Sequence, residues 1–209
     1  MKIKKIRDAA PSLFENLIFA TGLLFLGWSP LLIVFGYWVE VVLVFFAALA
    51  KLLLLRFLKR DMLQGAGMFV FQYLFIIFVH TVFFIILIVV YADRDPFIVR
   101  LLHLYTGVSV NVSVEGFAGD LMRIVLVVGV TVVYGFFTSF LLHHRYRMLD
   151  ARQVINHAFG PVVLLHFVLF VGVGAIGLLG LPGSFVLVLI AAKFFFDVSG
   201  IGERGVQAA

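Results

Sequence analysis

Seven polar side chains that could do chemistry each lie inside a long apolar stretch of the sequence. They are Asn16, Glu40, His80, Tyr134, His166, Lys193 and Asp197. With about 1.5 Å of rise per helical residue, Glu40, His80 and Lys193 would lie roughly 15–17 Å from one end of their stretches. Asn16 is also near mid-depth. The remaining three, Tyr134, His166 and Asp197, would lie roughly 21 Å from the same end of their stretches. Because a polar group inside a bilayer is costly unless it is paired, these similar depths predict a shared internal site.

The two histidines and the glutamate of this set are residue types that bind metal ions. A divalent metal site needs three or four nitrogen and oxygen ligands, and His80, His166 and Glu40 would supply three. A glutamate or histidine in the middle of a membrane can instead relay protons or bind an ion in transit. Either kind of site would draw support from Tyr37, Tyr134 and Asn16.

The same polar residues also fit a purely structural role. Glu40 would then pair with Lys193, and each histidine would donate to a backbone carbonyl or to a hydroxyl such as that of Thr81 or Thr131. A buried ion pair of this kind can fix helix register without any chemistry. Lys193 and Asp197 are four residues apart on one helix face, so they could pair and leave Glu40 to meet a histidine. The sequence leaves both pairings open.

Common catalytic signatures are absent from the sequence. It contains no His-Glu-x-x-His, no Gly-x-Ser-x-Gly, no P-loop and no cysteine. The spacing Gly172-x-Gly174-x-x-Gly177 has the form of a dinucleotide fingerprint, but it lies in an apolar stretch and no strand precedes it. It therefore predicts close packing of helices through small residues.

The composition points to a membrane protein. The 209 residues are 64% hydrophobic and only 13% charged, with a mean hydropathy of +1.18. A soluble domain carries about 25% charged residues and could not hide so much apolar surface in one core. A bilayer solvates apolar side chains from outside, so the lipid bilayer is the first predicted partner. The Lys and Arg residues that give the net charge of +5 are expected to lie at the membrane interface, and no nucleic acid partner is expected.

Apolar runs and turn signals divide the chain into six predicted transmembrane helices. The segments Gly27–Pro30 and Gly180–Gly183 punctuate the first and last hairpins. The predicted spans are residues 13–26, 30–55, 68–91, 121–142, 158–179 and 182–198. The predicted fold is therefore all-α, a single membrane-embedded helical bundle over residues 1–209.

The distribution of Lys and Arg predicts the orientation of these helices. With the N-terminus inside, the cytoplasmic segments hold Lys2, Lys4, Lys5, Arg7, Arg56, Lys59, Arg60, Arg145, Arg147, Arg152 and Arg204. The external side holds only Arg94, Arg100 and Arg123. The positive-inside rule then places both termini in the cytoplasm, in a multi-pass protein of the cell membrane. Anionic lipid headgroups are expected partners of the basic cytoplasmic loops.

The long connection 92–120 is predicted to be external. Residues 96–105 have the pattern of a short amphipathic helix at the interface. Residues 107–115 alternate apolar and polar side chains like an extended segment. The connection would be either a lid over the bundle or a plain connector.

Four motifs carry a resemblance that covers most of the chain. They are Tyr37-Trp38-Val39-Glu40, His80 in the Phe-rich third span, Leu165-His166, and Lys193-Phe-Phe-Phe-Asp197. Together they resemble an uncharacterised family of polytopic membrane proteins, classed only as a domain of unknown function. Members often continue with a His and a Glu-His after the last Asp, whereas this chain has Glu203 without the His. The resemblance supports the choice of residues and brings no activity with it.

Three functions from different classes are consistent with the sequence. The leading hypothesis is a buried ionisable site that handles ions, protons or a small solute across the membrane. The second is an intramembrane metal-dependent enzyme, for which an unidentified divalent metal ion would be the cofactor. The third is a structural or assembly subunit whose polar residues only lock helices together. A homo-oligomer is compatible with all three.

Overall fold

The structure is a computed structural model. It describes residues 2–59, 65–91, 117–142, 144–147, 149–159, 162–163, 170 and 186–199. Every regular element within these ranges is a helix.

The described helices follow one another in a simple order. The first three are α1 (Lys2–Phe25), α2 (Pro30–Lys59) and α3 (Ala66–Tyr91). Next come α4 (Phe117–Gly135), a π-helix (Phe136–Leu142) that continues it, and a 3-10 turn (Arg145–Arg147). The last two are α5 (residues 151–159) and α6 (Val186–Ser199).

Three segments in the described part of the chain are long and apolar enough to cross a bilayer. They are Pro30–Leu58, Ala66–Ile86 and Gly119–Leu142. Two shorter apolar helices accompany them, Leu13–Phe25 and Val186–Phe195. The described residues thus form an all-helical bundle of the membrane class, as the composition predicts.

Helix boundaries differ from the predicted spans mainly where charged residues flank an apolar run. The helices α1 and α2 extend into the basic segments 2–12 and 56–59, which the spans 13–26 and 30–55 leave out. The helix α4 begins at Phe117, inside the predicted loop 92–120. The rest of that loop and most of the fifth span lie outside the described residues, and the six-span count stays a prediction.

The helix α5 lies in a segment that was predicted only to connect two spans. A reciprocal capping box begins it: the Gln153 backbone N–H donates to Asp150 Oδ1 at 2.7 Å, and the Asp150 N–H donates to Gln153 Oε1 at 3.0 Å. These bonds satisfy backbone donors that the first turn of a helix leaves without partners.

The helix α2 contacts α1, α3 and α4 and supplies much of the core. One row of its buried side chains recurs every three or four residues along the whole helix, at Ile33, Tyr37, Val41, Phe45, Ala48, Leu52 and Leu55. In contrast, Phe71, Phe75 and Phe78 of α3 are more than half exposed. A bilayer would cover such surface, because lipid chains are as apolar as these rings.

Close backbone approach fixes α1 against α2. The turn between them passes through Gly27 at φ +68°, a conformation that side chains with a Cβ rarely adopt. Trp28 then folds back so that its ring occupies the place of a Cβ on Gly22, only 2.0 Å from such an atom. On α2, a Cβ on Gly36 would lie 2.7 Å from the ring of Phe19. Gly22 therefore allows the turn to pack closely on α1, and Gly36 allows α2 to approach Phe19 of α1.

Candidate buried ionisable site

An ion pair joins α2 to α6 inside the bundle. The Lys193 Nζ lies 3.2 Å from Glu40 Oε1, and their side chains are only 8% and 18% exposed. Since an α-helix rises about 1.5 Å per residue, Glu40 is roughly 15 Å along α2 from Pro30. Glu40 is one of the two partners that the sequence left open for Lys193, and the structure shows this contact. The side chain of Asp197, one turn further along α6, lies outside the described residues.

Tyr37 connects this ion pair to α1. Its position three residues before Glu40 places both on one face of α2. Lys193 Nζ lies 5.6 Å from the centre of the Tyr37 ring, within the range of a cation–π interaction. The Tyr37 hydroxyl donates to Asn16 Oδ1 at 3.2 Å. Asn16, Tyr37, Lys193 and Glu40, which three helices contribute, therefore form one polar chain.

Glu15, which precedes Asn16, is a buried carboxylate that the site predicted from the sequence omitted. Both Glu15 and Asn16 are only 1% exposed. The helix α1 continues back to Lys2, so Glu15 lies well inside this helix. An acidic residue directly followed by Asn16 in an apolar run was the signal that could have found it. The packing of α1 against α6 brings this segment towards the helix that carries Lys193.

The helix α3 carries His80, which is 3% exposed. The next residue, Thr81, accepts a hydrogen bond from Trp38 Nε1 at 3.2 Å and donates its own proton to the Ile77 carbonyl at 2.8 Å. This bond fixes α3 against α2 at Trp38, two residues before Glu40, and it lies next to His80 in the sequence.

Tyr73 provides a second link between α3 and α2. Its hydroxyl donates to the Val41 carbonyl at 3.3 Å, in the residue after Glu40. Its ring stacks on Phe45 with 5.0 Å between the ring centres. Tyr73 lies close enough to Glu40 for an electrostatic interaction. Sequence reasoning did not select this tyrosine.

One of the remaining predicted residues, Tyr134 on α4, stands apart from this group because its side chain is 54% exposed. His166 lies outside the described residues. Within the described ranges no three His, Asp or Glu side chains converge to hold a metal ion. The metal set of His80, His166 and Glu40 accordingly stays a prediction, and Glu40 contacts the ammonium of Lys193.

The arrangement offers a carboxylate and an ammonium that compensate each other in an apolar setting. Removing one member of such a pair typically costs about 3–5 kcal/mol, because the other is left buried without compensation. Here Tyr37 gives Lys193 a second favourable contact. The intact pair carries no net charge, whereas a proton on Glu40 would leave the positive charge of Lys193 without a carboxylate beside it.

Comparison with known proteins identifies a family and no activity. Neither the curated proteins nor the solved structures contain a significant match to this chain. A family model does match, and it covers residues 4–207, nearly the whole sequence. The family is described only as one of unknown function. On that match the chain belongs to the family of unknown function DUF6498.

Proposed function

We propose that this chain is a multi-pass membrane protein whose Glu40–Lys193 pair binds and releases protons or small ions as they cross the bilayer. The observation that carries the proposal is the 3.2 Å contact between these two side chains on different helices. Glu40 also lies roughly half the thickness of a hydrocarbon core from the start of α2. Ionisable residues at this depth usually mark ion or proton pathways.

Proton handling follows directly from the neighbours of the pair. A proton that arrives at Glu40 neutralises the carboxylate and leaves Lys193 positively charged. The ring of Tyr37 lies 5.6 Å from Lys193 Nζ and stabilises the ammonium in that state. Release of the proton restores the ion pair. Asn16 holds the Tyr37 hydroxyl, and so keeps the ring in place through the cycle.

A structural role is the competing function, and the same contact favours it. An ion pair between α2 and α6 would lock the two helices in register without any transport.

The intramembrane metal-dependent enzyme needs His166 beside His80 and Glu40, and elemental analysis of the purified protein tests it. Stoichiometric zinc or iron, lost in His80→Ala, would favour the enzyme.

Proton flux into liposomes separates transport from the structural role. Purified protein is reconstituted around a pH-sensitive dye, and proton entry is measured under an imposed potential. We expect flux with wild type and with Asp120→Asn, which removes the acid of an exposed ion pair with Arg123. Glu40→Gln keeps size and hydrogen bonding, so it should insert normally and lose flux.

Wild-type flux separates the two functions, and the double variant Glu40→Gln, Lys193→Met tests the scaffold. A transport site predicts that the double variant stays inactive whatever its stability. A scaffold predicts that Glu40→Gln is clearly less stable, that the double variant recovers stability, and that wild type conducts no better than empty liposomes. That last set of results would refute the proposed function.

A further inference from the structure

A cavity of about 250 Å³ lies between α2, the end of α4 with its π-helix, and α5. Its wall is apolar at ten of twelve residues, for example at Val44, Phe136 and Val154. The two polar residues that line it are Lys51 and His157, one on each side. Among the described residues that form the wall, none is acidic. The cavity thus combines an apolar interior with a cationic edge.

Lys51 stands at the level where lipid headgroups are expected. It follows Pro30 by 21 residues, and so lies roughly 30 Å along α2, which is about the thickness of a hydrocarbon core. Val44 lines the same cavity two turns earlier, roughly 10 Å deeper. The charged edge therefore faces the interface, and the apolar wall points towards the bilayer centre.

The π-helix supplies the aromatic part of the wall. Lys51 Nζ lies 5.8 Å from the centre of the Phe140 ring, and Phe140 contacts Phe136 with 5.7 Å between ring centres. Departures from α-helical geometry of this kind occur often at functional sites. The contact with Phe140 holds the ammonium of Lys51 at the cavity.

We propose that this cavity binds one anionic phospholipid, with its phosphate at Lys51 and His157 and the start of an acyl chain against the apolar wall. Charge complementarity selects an anion, and the apolar wall selects an amphiphile over a free phosphate. The volume is smaller than that of a pocket which encloses a drug-sized ligand, so most of the acyl chain stays in the bilayer. The site uses neither Glu40 nor Lys193, and it goes beyond the proposed function.

Thermal unfolding in a neutral detergent tests the proposal. The probes are phosphatidylglycerol, phosphatidylcholine of the same chain length, and inorganic phosphate. We expect phosphatidylglycerol alone to raise the Tm of wild type. Lys51→Met should weaken the apparent affinity roughly tenfold or more, because a hydrogen bond to a charged group is worth at least that factor. Lys51→Arg should retain the effect.

Two further variants keep the test decisive. Arg152→Gln removes an exposed charge of α5 that does not line the cavity, and should leave the lipid effect unchanged. Ala47→Phe fills the cavity without changing its charge and should abolish the stabilisation by phosphatidylglycerol. This variant tests the proposal even if Lys51→Met fails to fold. Equal stabilisation by phosphatidylcholine or by inorganic phosphate would overturn the proposal. So would an equal loss in Arg152→Gln, which would assign the effect to the basic surface.

Discussion

The indole Nε1 of Trp38 lies 3.2 Å from the hydroxyl oxygen of Thr81. Trp38 precedes Glu40 by two residues, and Thr81 directly follows His80. This hydrogen bond therefore links α2, which carries the carboxylate, to α3, which carries the histidine. Thr81 meanwhile donates its own proton to the carbonyl of Ile77. The hydroxyl thus satisfies a donor on another helix and an acceptor on its own.

Thr81→Val should destabilise the protein by about 1–3 kcal/mol, because it leaves the Trp38 indole N–H without its acceptor. Thr131→Val is the matched control. Thr131 makes the same bond within its own helix, to the Val127 carbonyl at 2.9 Å. Chemical unfolding of both variants in detergent measures the difference. Equal losses would mean that the Trp38 contact contributes nothing to stability.

Tyr37 should show two separable contributions. Tyr37→Phe removes the hydrogen bond to Asn16 and keeps the ring under Lys193, so it should cost about 0.5–1.5 kcal/mol. Tyr37→Leu removes both contacts and should cost more. A double-mutant cycle with Lys193→Met measures the coupling between ring and ammonium, expected at about 0.5–2 kcal/mol. A coupling near zero in the Leu cycle would contradict the cation–π contact.

Two glycines in helices should respond to alanine with opposite signs. A Cβ on Gly22 would lie 2.0 Å from the Trp28 ring, so Gly22→Ala must displace the indole and lower the Tm. A Cβ on Gly129 would meet nothing within 4 Å. Gly129→Ala should therefore gain up to about 1 kcal/mol from helix propensity. If Gly22→Ala were as stable as Gly129→Ala, the described packing of Trp28 against Gly22 would be wrong.

Labelling of single cysteines tests the predicted orientation. The natural chain has no cysteine, so each introduced thiol is unique. Ser109→Cys should react with an impermeant maleimide from outside intact cells, whereas Gln153→Cys should react only after the membrane is opened. The expectation rests on the excess of Lys and Arg on one side. Reaction of both from the same side would rule out six spans with cytoplasmic termini.

The sequence predicted the long helices well and the facing of their side chains less well. Uninterrupted apolar runs gave α3 almost to the residue, since a helix in lipid ends where the apolar run ends. Depth along a span could be counted for Glu40 and for Tyr134 alike. In a helix that is apolar all round, however, no pattern marks the inner face, and Tyr134 points outward.

The partner of Lys193 could not be chosen from the sequence for a related reason. The local alternative, Asp197, is recognisable from spacing, whereas the contact with Glu40 depends on how α6 packs in the bundle. The burial of Glu15 likewise depends on how α1 packs against its neighbours, which the apolar run alone does not reveal. Both features depend on tertiary packing, which no single segment encodes.

The ion pair between α2 and the last described helix has a consequence for biosynthesis. The carboxylate of Glu40 is translated with α2, whereas the ammonium that compensates it is translated much later, with α6. Until α6 inserts, the early helices carry an acidic group that has yet to meet Lys193. Assembly intermediates that lack the last helix should therefore be the ones that quality-control proteases recognise and remove.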